Sequence, residues 1–498
     1  MPILILFLLL LPIFIFFLFK KHHSSLHLPP GPKADLIFGN LKQLDNSNLP
    51  KYLWQLSKQY GDLMSLRLGM KPTLVVSSAK MAQEVLKTHD LEFCSRPRLS
   101  GLHKISYNGV DLAFSPYDAY WREMRKISVV HVFNSNRVQS FRDIREDEVR
   151  IMLEKISKLS EESKVVNLSE LMMSVGSGTI CRIAFGKRYE DGGSEAKRFH
   201  NLLMELQVMF GSFYFSDYFP YVGYVIDKMS GLLSRLDKVF HAFDDFYQEL
   251  IDEHLDPNRN LSSDTENILD VLLQLKKDRS FKVQLNFNNV KAVLMNMFVA
   301  GTDTSAASVI WCMCFLLKYP TTMKKAQEEV RTLIGKKGFV NEDDIQNLPY
   351  LKAVIKEMMR LQPPVPLLIP RETVSKCSVG GYDIGAKTLV YVNALAIGRD
   401  PEAWENPLEF DPERFLKNDV DMKGQHYELI PFGAGRRICP GIFMGIANVE
   451  IALANLIYKF DWEMPDGMSA QDIHIDDVNP GIVVHKKGDL SLMAKTYV

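Results

Sequence analysis

The chain has 498 residues, of which 46% are hydrophobic and 24% charged, with a formal net charge of -1. That length supports a sizeable core, the composition excludes a disordered or collagen-like chain, and the near-neutral balance gives no bulk attraction to nucleic acid. The six cysteines, Cys94, Cys181, Cys312, Cys314, Cys377 and Cys439, are scattered and form no CxxC pair. This argues against a disulfide framework or a zinc site, and fits a reducing compartment.

Residues 3–19 are nearly continuous Leu, Ile and Phe, followed at once by Lys20, Lys21, His22 and His23. The run just reaches the length of a membrane span, and no basic stretch precedes it. Its basic flank lies on the C-terminal side, which predicts a retained anchor over 1–21 with the rest of the chain cytosolic. Pro29, Pro30 and Pro32 then predict a stiff, extended hinge over 22–34. The body over 35–498 carries no linker that would divide it.

Along the body, Met64 to Leu68 and Thr73 to Ser77 read as short strands around a turn at Gly69 to Lys71. Helical periodicity follows at Tyr120 to Val130, Ser169 to Phe185, Asp237 to Leu255, Asn289 to Lys318 and Leu351 to Leu361. Strands return at Cys377 to Ile384 and Thr388 to Val392, and Asp256 to Glu266 reads as an exposed loop. The expected class is mainly α with minor β.

Five segments carry candidate chemistry. Trp121 and Arg125, four apart on one helix face, are both donors suited to a carboxylate. Ala300-Gly301-Thr302-Asp303-Thr304-Ser305 interrupts an apolar helix with a glycine and an acid beside a hydroxyl, which reads as a kink, as Thr304 bonding back to a preceding carbonyl, or as a notch for a ligand. Glu357 and Arg360, three apart, form an ion pair that by itself would be an ordinary surface feature. Arg371 follows Ile369-Pro370. Last comes Pro431-Phe432-Gly433-Ala434-Gly435-Arg436-Arg437-Ile438-Cys439-Pro440-Gly441. It places a cysteine in a tight turn before the apolar helical segment Ile442 to Phe460, whose N-terminus would stabilise a thiolate.

This last segment resembles the haem-binding loop of the cytochromes P-450, Phe-x-x-Gly-x-Arg-x-Cys-x-Gly, at Phe432, Gly435, Arg437, Cys439 and Gly441. The resemblance runs through the chain in order and implies the P-450 fold. It makes Glu357, Arg360 and Arg414 of Pro412-Glu413-Arg414-Phe415 a structural charge cluster. It assigns Ala300 to Ser305 to oxygen activation, with Thr304 as the hydrogen-bonding hydroxyl and Asp303 as the source of protons through water. It makes Cys439 the iron ligand, and gives Trp121, Arg125, Arg371 and Arg437 to the haem propionates.

The same resemblance implies haem b, O2, and electrons from NADPH through a membrane-bound reductase, with a cytochrome b-type protein as a further donor. No GxGxxG follows a strand, so the electrons must come from a partner. Lys126 and Arg436 are docking candidates, with a solvated surface charge as the equal alternative. The substrate regions map onto Ser100 to Phe114, Leu203 to Phe213, Met295 to Thr304, Pro363 to Ile369 and Pro480 to Val484. Within them Ala300, Val365, Leu367, Leu368 and Ile482 suggest an apolar pocket, and each would serve equally as core.

The motifs are similar to those of the large group of plant microsomal enzymes that make specialised metabolites. Ala184 to Tyr189 resembles the branch that includes aldoxime-metabolising enzymes. The expected reaction is hydroxylation of a small, largely apolar metabolite at the endoplasmic reticulum membrane. Aldoxime oxidation, dehydration or ring formation is the enzymatic alternative, and a haem-binding sensor or carrier the non-enzymatic one.

Overall fold

A computed structural model describes residues 26–189, 194–220, 222–259 and 266–497. The anchor expected over 1–21, the first residues of the hinge and the middle of the loop expected at 256–266 lie outside the described residues. Described residues 26–34 run extended along the body. The Ser65 N–H donates to the Pro30 carbonyl (2.9 Å), and the Asp383 N–H to the His27 carbonyl (2.7 Å).

With 54% helix and 9% strand, the fold is mainly α with a minor sheet. At the N-terminal end, α1 (Leu49–Tyr60) leads into β1 (Leu63–Leu68) and β2 (Lys71–Val76). Both strands begin one or two residues earlier than the sequence suggests, because the turn needs only Gly69 and Met70. β3 (Arg371–Glu372) and β4 (Leu389–Val392) complete a four-stranded sheet in the order β1-β2-β4-β3. The β2–β4 pair is parallel, so 312 residues of chain must pass between Val76 and Leu389, and most of the helical body lies in that interval.

The helices that build the site are α2 (Ala119–His131), α3 (Arg142–Glu161), α4 (Leu168–Phe185), α5 (Ser194–Gly211), α6 (Leu232–Leu255), α7 (Ile268–Lys277), α8 (Phe287–Lys318), α9 (Pro320–Ile334), α10 (Pro349–Leu361) and α11 (Ile442–Lys459). α8 is 32 residues long, roughly 48 Å at 1.5 Å per residue. From Ala306 to Leu317 every residue is buried and only Ser308, bonded back to the Thr304 carbonyl, is polar, the pattern of a helix at the centre of a large core. α8 and α11 are each long and apolar enough to cross a membrane, but 78% and 61% of their apolar windows are buried within the protein. They are core helices here.

α4 crosses α8 at close range. A Cβ on Gly176 would stand 2.7 Å from the Thr302 carbonyl oxygen, so only glycine permits this approach. The contact brings the backbone of α8 against α4 at the centre of the Ala300 to Ser305 segment.

Candidate functional site

A cavity of about 1510 Å³ lies between α8 and the cysteine loop. Ala300, Asp303 and Thr304 face it from α8, and Phe432, Arg437, Cys439 and Gly441 from the loop. Trp121, Arg125 and Arg371 close one end. Val365 and Leu368 line it from the segment after α10, and Ile482 from the C-terminal segment. All five expected substrate regions contribute lining residues. Leu367 does not: its side chain turns to the N-terminal sheet and packs with Leu53, Met64 and Val75. The expectation for Leu367 is therefore corrected. Leu368, at φ +52°, is where the backbone reverses, so neighbouring side chains leave in different directions.

The cysteine loop is held by many bonds. The Cys439 N–H donates to the Phe432 carbonyl (2.9 Å), closing the turn. Gly435 has φ +68°, and a Cβ there would lie 2.3 Å from the Leu86 carbonyl oxygen. Its glycine is thus required by the packing of the loop on residues 84–93, not by the cavity. Burial pushes the Cys439 thiol up, while the Gly441 N–H and the Arg125 guanidinium act in the opposite direction. The start of α11 three residues later adds the positive end of a helix.

Beside the loop, three arginines are almost fully buried: Arg96, Arg371 and Arg437. Arg437 lies 3.8 Å over the Trp121 ring and donates to the Cys94 and Ser115 carbonyls, both at 2.7 Å. The Trp121 indole N–H donates to the Leu112 carbonyl (3.0 Å), and Arg125 to the Ile438 carbonyl. Arg371 reaches the Ala434 carbonyl (3.0 Å) and stands 3.6 Å from Asp90, with one guanidinium nitrogen lacking a hydrogen bond. Burial, followed by the charge of Arg371, pulls Arg437 down to about 9. Burial and the other two arginines likewise lower Arg96.

Asp90 and Asp111 are the acids close to this cluster. Burial raises Asp111 to about 6, against hydrogen bonds from Asn296 and neighbouring backbone. Buried cations so short of counter-charge are costly unless an anion joins them. A flat, dianionic group with a sulfur ligand fits this end of the cavity. Arg96 was not singled out from the sequence. Its only local signal is a charge in the otherwise uncharged run Phe93 to Pro97.

The charge cluster lies outside the cavity. Glu357 takes two bonds from Arg360 (2.7 Å each) and one from Arg414 (3.1 Å), and Glu357 and Arg360 are essentially inaccessible. Arg360 also donates to the Pro407 and Glu409 carbonyls, at 2.7 and 2.9 Å. The cluster therefore staples α10 to the strand-poor segment that precedes the cysteine loop. Lys126 is exposed on α2, whereas Arg436 is engaged by Asp90 at 3.0 Å.

Residues 29–493 match the Cytochrome P450 family. The chain belongs to that family. This cytochrome P450 is 49% identical over 98% of its length to the 6,7,8-trihydroxycoumarin synthase of Pastinaca sativa, covering 96% of that protein. It is 48% identical to the 5-OH-xanthotoxin synthase of the same plant, over 100% of this chain and 99% of the relative. A zebra fish cytochrome P450 solved with abiraterone superposes with a TM-score of 0.74 at 25% identity, covering 90% of this chain and 100% of that one. The P450 is thus a haem-thiolate monooxygenase of the plant type, with haem b as cofactor. O2 and NADPH-derived electrons, delivered by a reductase, complete its requirements, and its substrate is a small molecule.

Proposed function

We propose that this P450 hydroxylates a flat, largely apolar aromatic metabolite of the coumarin type. The observation that carries this reading is the apolar cavity bounded by Cys439 on one side and by Ala300 and Thr304 on the other. The names of the two plant relatives support the substrate class. The balance is R–H + O2 + 2e⁻ + 2H⁺ → R–OH + H2O.

When bound, the haem supplies the redox chemistry, cleaving O2 and inserting one oxygen atom. Cys439 would hold it as a thiolate, whose sulfur would supply electron density. Arg96, Arg371 and Arg437 would hold its carboxylates, and Arg125 extends that positive wall. Thr304 presents its hydroxyl to the cavity while bonded back to the Ala300 carbonyl (2.7 Å), an arrangement in which it can accept and pass on one proton. Asp303 supplies protons to that face. Val365, Leu368 and Ile482 orient the substrate and exclude water. Glu357, Arg360 and Arg414 keep the loop in register and touch no reactant.

The protein works at the endoplasmic reticulum membrane, with residues 1–21 as a single-pass anchor, 22–34 as the hinge and 35–498 in the cytosol. An apolar surface supports membrane contact. Leu36, Ile37, Met70, Val222, Tyr224, Val225 and Met229 are all exposed. The Met70 N–H donates to the Tyr218 carbonyl (2.9 Å), and Phe38 packs edge-on against Phe219, so these side chains share one end of the molecule. The reductase docks on the cysteine side, with Lys126 among its contacts, and a cytochrome b-type protein is a second donor for the same face.

The test is the reduced carbon-monoxide difference spectrum of the full chain, then turnover of hydroxycoumarins with NADPH and reductase. A thiolate-type spectrum with hydroxylated product is expected. A spectrum of histidine-ligated haem in folded protein would overturn the site. Lack of any coumarin product, beside turnover of unrelated apolar metabolites, would overturn the substrate class.

A further inference from the structure

Asp303 is buried at 3% exposure, yet it is the residue that must bring protons to the cavity. Its Oδ1 lies 2.9 Å from Nε2 of His485 as an ion pair, and no aligned hydrogen bond reaches this buried oxygen. The two ends of this pair differ in access: the side chain of Asp303 is 5% exposed and that of His485 is 32% exposed.

The pairing is built into the fold. His485 sits on the short strand His485–Lys486, paired with Val478–Asn479. The preceding residue is pinned twice: the Val484 N–H donates to the Pro364 carbonyl (2.8 Å), and the Trp311 indole N–H donates to the Val484 carbonyl (3.0 Å). Trp311 follows Asp303 by eight residues, about two turns, so both lie on one face of α8. The indole fixes the strand, and the next side chain falls on the acid.

Ser174 and Ser177 of α4 line the same cavity as His485 and Lys486 and form a polar branch of its lining. The exposed Glu170 and Asp489 belong to the same lining. The Lys486 ammonium does not compete for Asp303, since it donates to the Lys487 and Gly488 carbonyls at 3.1 and 3.4 Å. Burial alone would lower the imidazole, but the contact with Asp303 outweighs it and raises His485 above its ordinary value.

We propose that His485 is the positioning and proton-relay residue for Asp303, linking its buried carboxylate to solvent through the polar branch of the cavity. The imidazolium passes its Nε2 proton to Oδ1 of Asp303. The resulting carboxylic acid releases a proton on the Thr304 side, and the neutral ring regains one from water in the branch. Each passage takes one proton from solvent and delivers one to the cavity. This inference rests on the monooxygenase reading of Asp303 given above.

The test uses the full-length holoenzyme with reductase and 7-hydroxycoumarin as probe, comparing wild type with His485→Gln and His485→Phe. The reduced carbon-monoxide spectrum is recorded first and should be unchanged in both variants. Loss of the thiolate signature in the wild type itself would count against the site reading rather than the relay.

With the spectrum intact, both variants should divert NADPH electrons from water or product to hydrogen peroxide. The coupled fraction should fall on the order of tenfold, less than the ~10²-fold of a directly acting proton donor. Their solvent deuterium isotope effect should rise. Gln keeps a donor beside Asp303 but cannot ionise, so full coupling in His485→Gln would overturn the relay.

A second readout is independent of turnover. Histidine-labelled NMR of the reduced, carbon-monoxide-bound protein should show one imidazole titrating above the ordinary range. That signal should be absent from His485→Gln and move to lower pH in Asp303→Asn. An imidazole that titrates identically with and without the Asp303 carboxylate would overturn the pairing.

Discussion

The two walls of the cavity are held in different ways. The cysteine wall is over-determined: the Phe432–Cys439 turn bond, the Gly435 contact with residue 86, and arginine bonds to the carbonyls of Cys94, Ser115, Ala434 and Ile438 all fix one loop. The wall lined by Val365, Leu368 and Ile482 is made of half-buried side chains on short segments, tethered through the backbone by the Leu368 N–H to the Val365 carbonyl (3.0 Å), the Val484 N–H to the Pro364 carbonyl (2.8 Å) and the Trp311 indole to the Val484 carbonyl (3.0 Å). Charge and hydrogen bonding fix the chemical end, where one geometry is needed. Apolar packing shapes the other end, where residues can be exchanged without disturbing the ligand loop.

The strongest test of that contrast removes the one atom the fixed wall exists to present. Cys439→Ser changes sulfur to oxygen and leaves the Phe432 turn bond intact, since that bond uses the backbone N–H. The fold should survive, as judged by circular dichroism. The thiolate-type carbon-monoxide spectrum and all turnover should be lost. Retention of that spectrum would sink the ligand assignment.

Next in size is the staple behind the wall. Glu357→Gln leaves Arg360 and Arg414 buried against a neutral amide. Breaking a buried ion pair this way costs about 3–5 kcal/mol. Denaturant unfolding should show that loss, together with poor haem retention. A cost under about 1 kcal/mol would mean that the cluster is solvated and the staple dispensable.

Thr304→Ala is smaller and more selective. The hydroxyl bonds back to the Ala300 carbonyl at 2.7 Å, supplementing the α8 backbone bonds rather than replacing one. Stability should change by less than about 0.5 kcal/mol, as for substitutions that leave core and caps intact. Haem binding should persist while NADPH consumption uncouples from product by on the order of 10²-fold. The measurement is the ratio of product to NADPH, and an unchanged ratio would remove Thr304 from proton handling.

The same contrast explains what the sequence made legible. Cys439, Phe432, Arg437, Thr304 and Glu357 stand in fixed local spacings because the chemistry and the loop geometry demand them. Five of the long helices were readable from periodicity and start one to five residues before the expected position, at α8 behind the Asn286 cap, while most of their C-terminal ends coincide with the expectation. Arg96 and His485 belong to no motif with a fixed local spacing. Arg96 reaches the Ile369 and Pro370 carbonyls, 273 and 274 residues away, and His485 meets Asp303 across 182. Such roles exist only once the chain has folded. Leu367 failed for the converse reason: it has the right composition and region, but the positive φ at Leu368 sends it the other way.

Leu367 and Leu368 give the finest test, because the two are chemically identical neighbours with opposite surroundings. Leu368 lines the cavity and its Cδ1 lies 3.8 Å from where a Cβ on Gly433 would be. Leu367 packs with Leu53, Met64 and Val75 beneath the sheet. Truncating Leu367 to Ala removes half-buried apolar surface, so it should lower stability by about 1 kcal/mol and leave product ratio unchanged. Truncating Leu368 enlarges the cavity beside the ligand loop and should shift the ratio of hydroxylated products several-fold at similar stability. Product analysis and thermal unfolding, run on both variants, separate the two effects. Equal product shifts from both would mean that the wall responds as one body, and the division between a fixed and an adaptable side would fall with it.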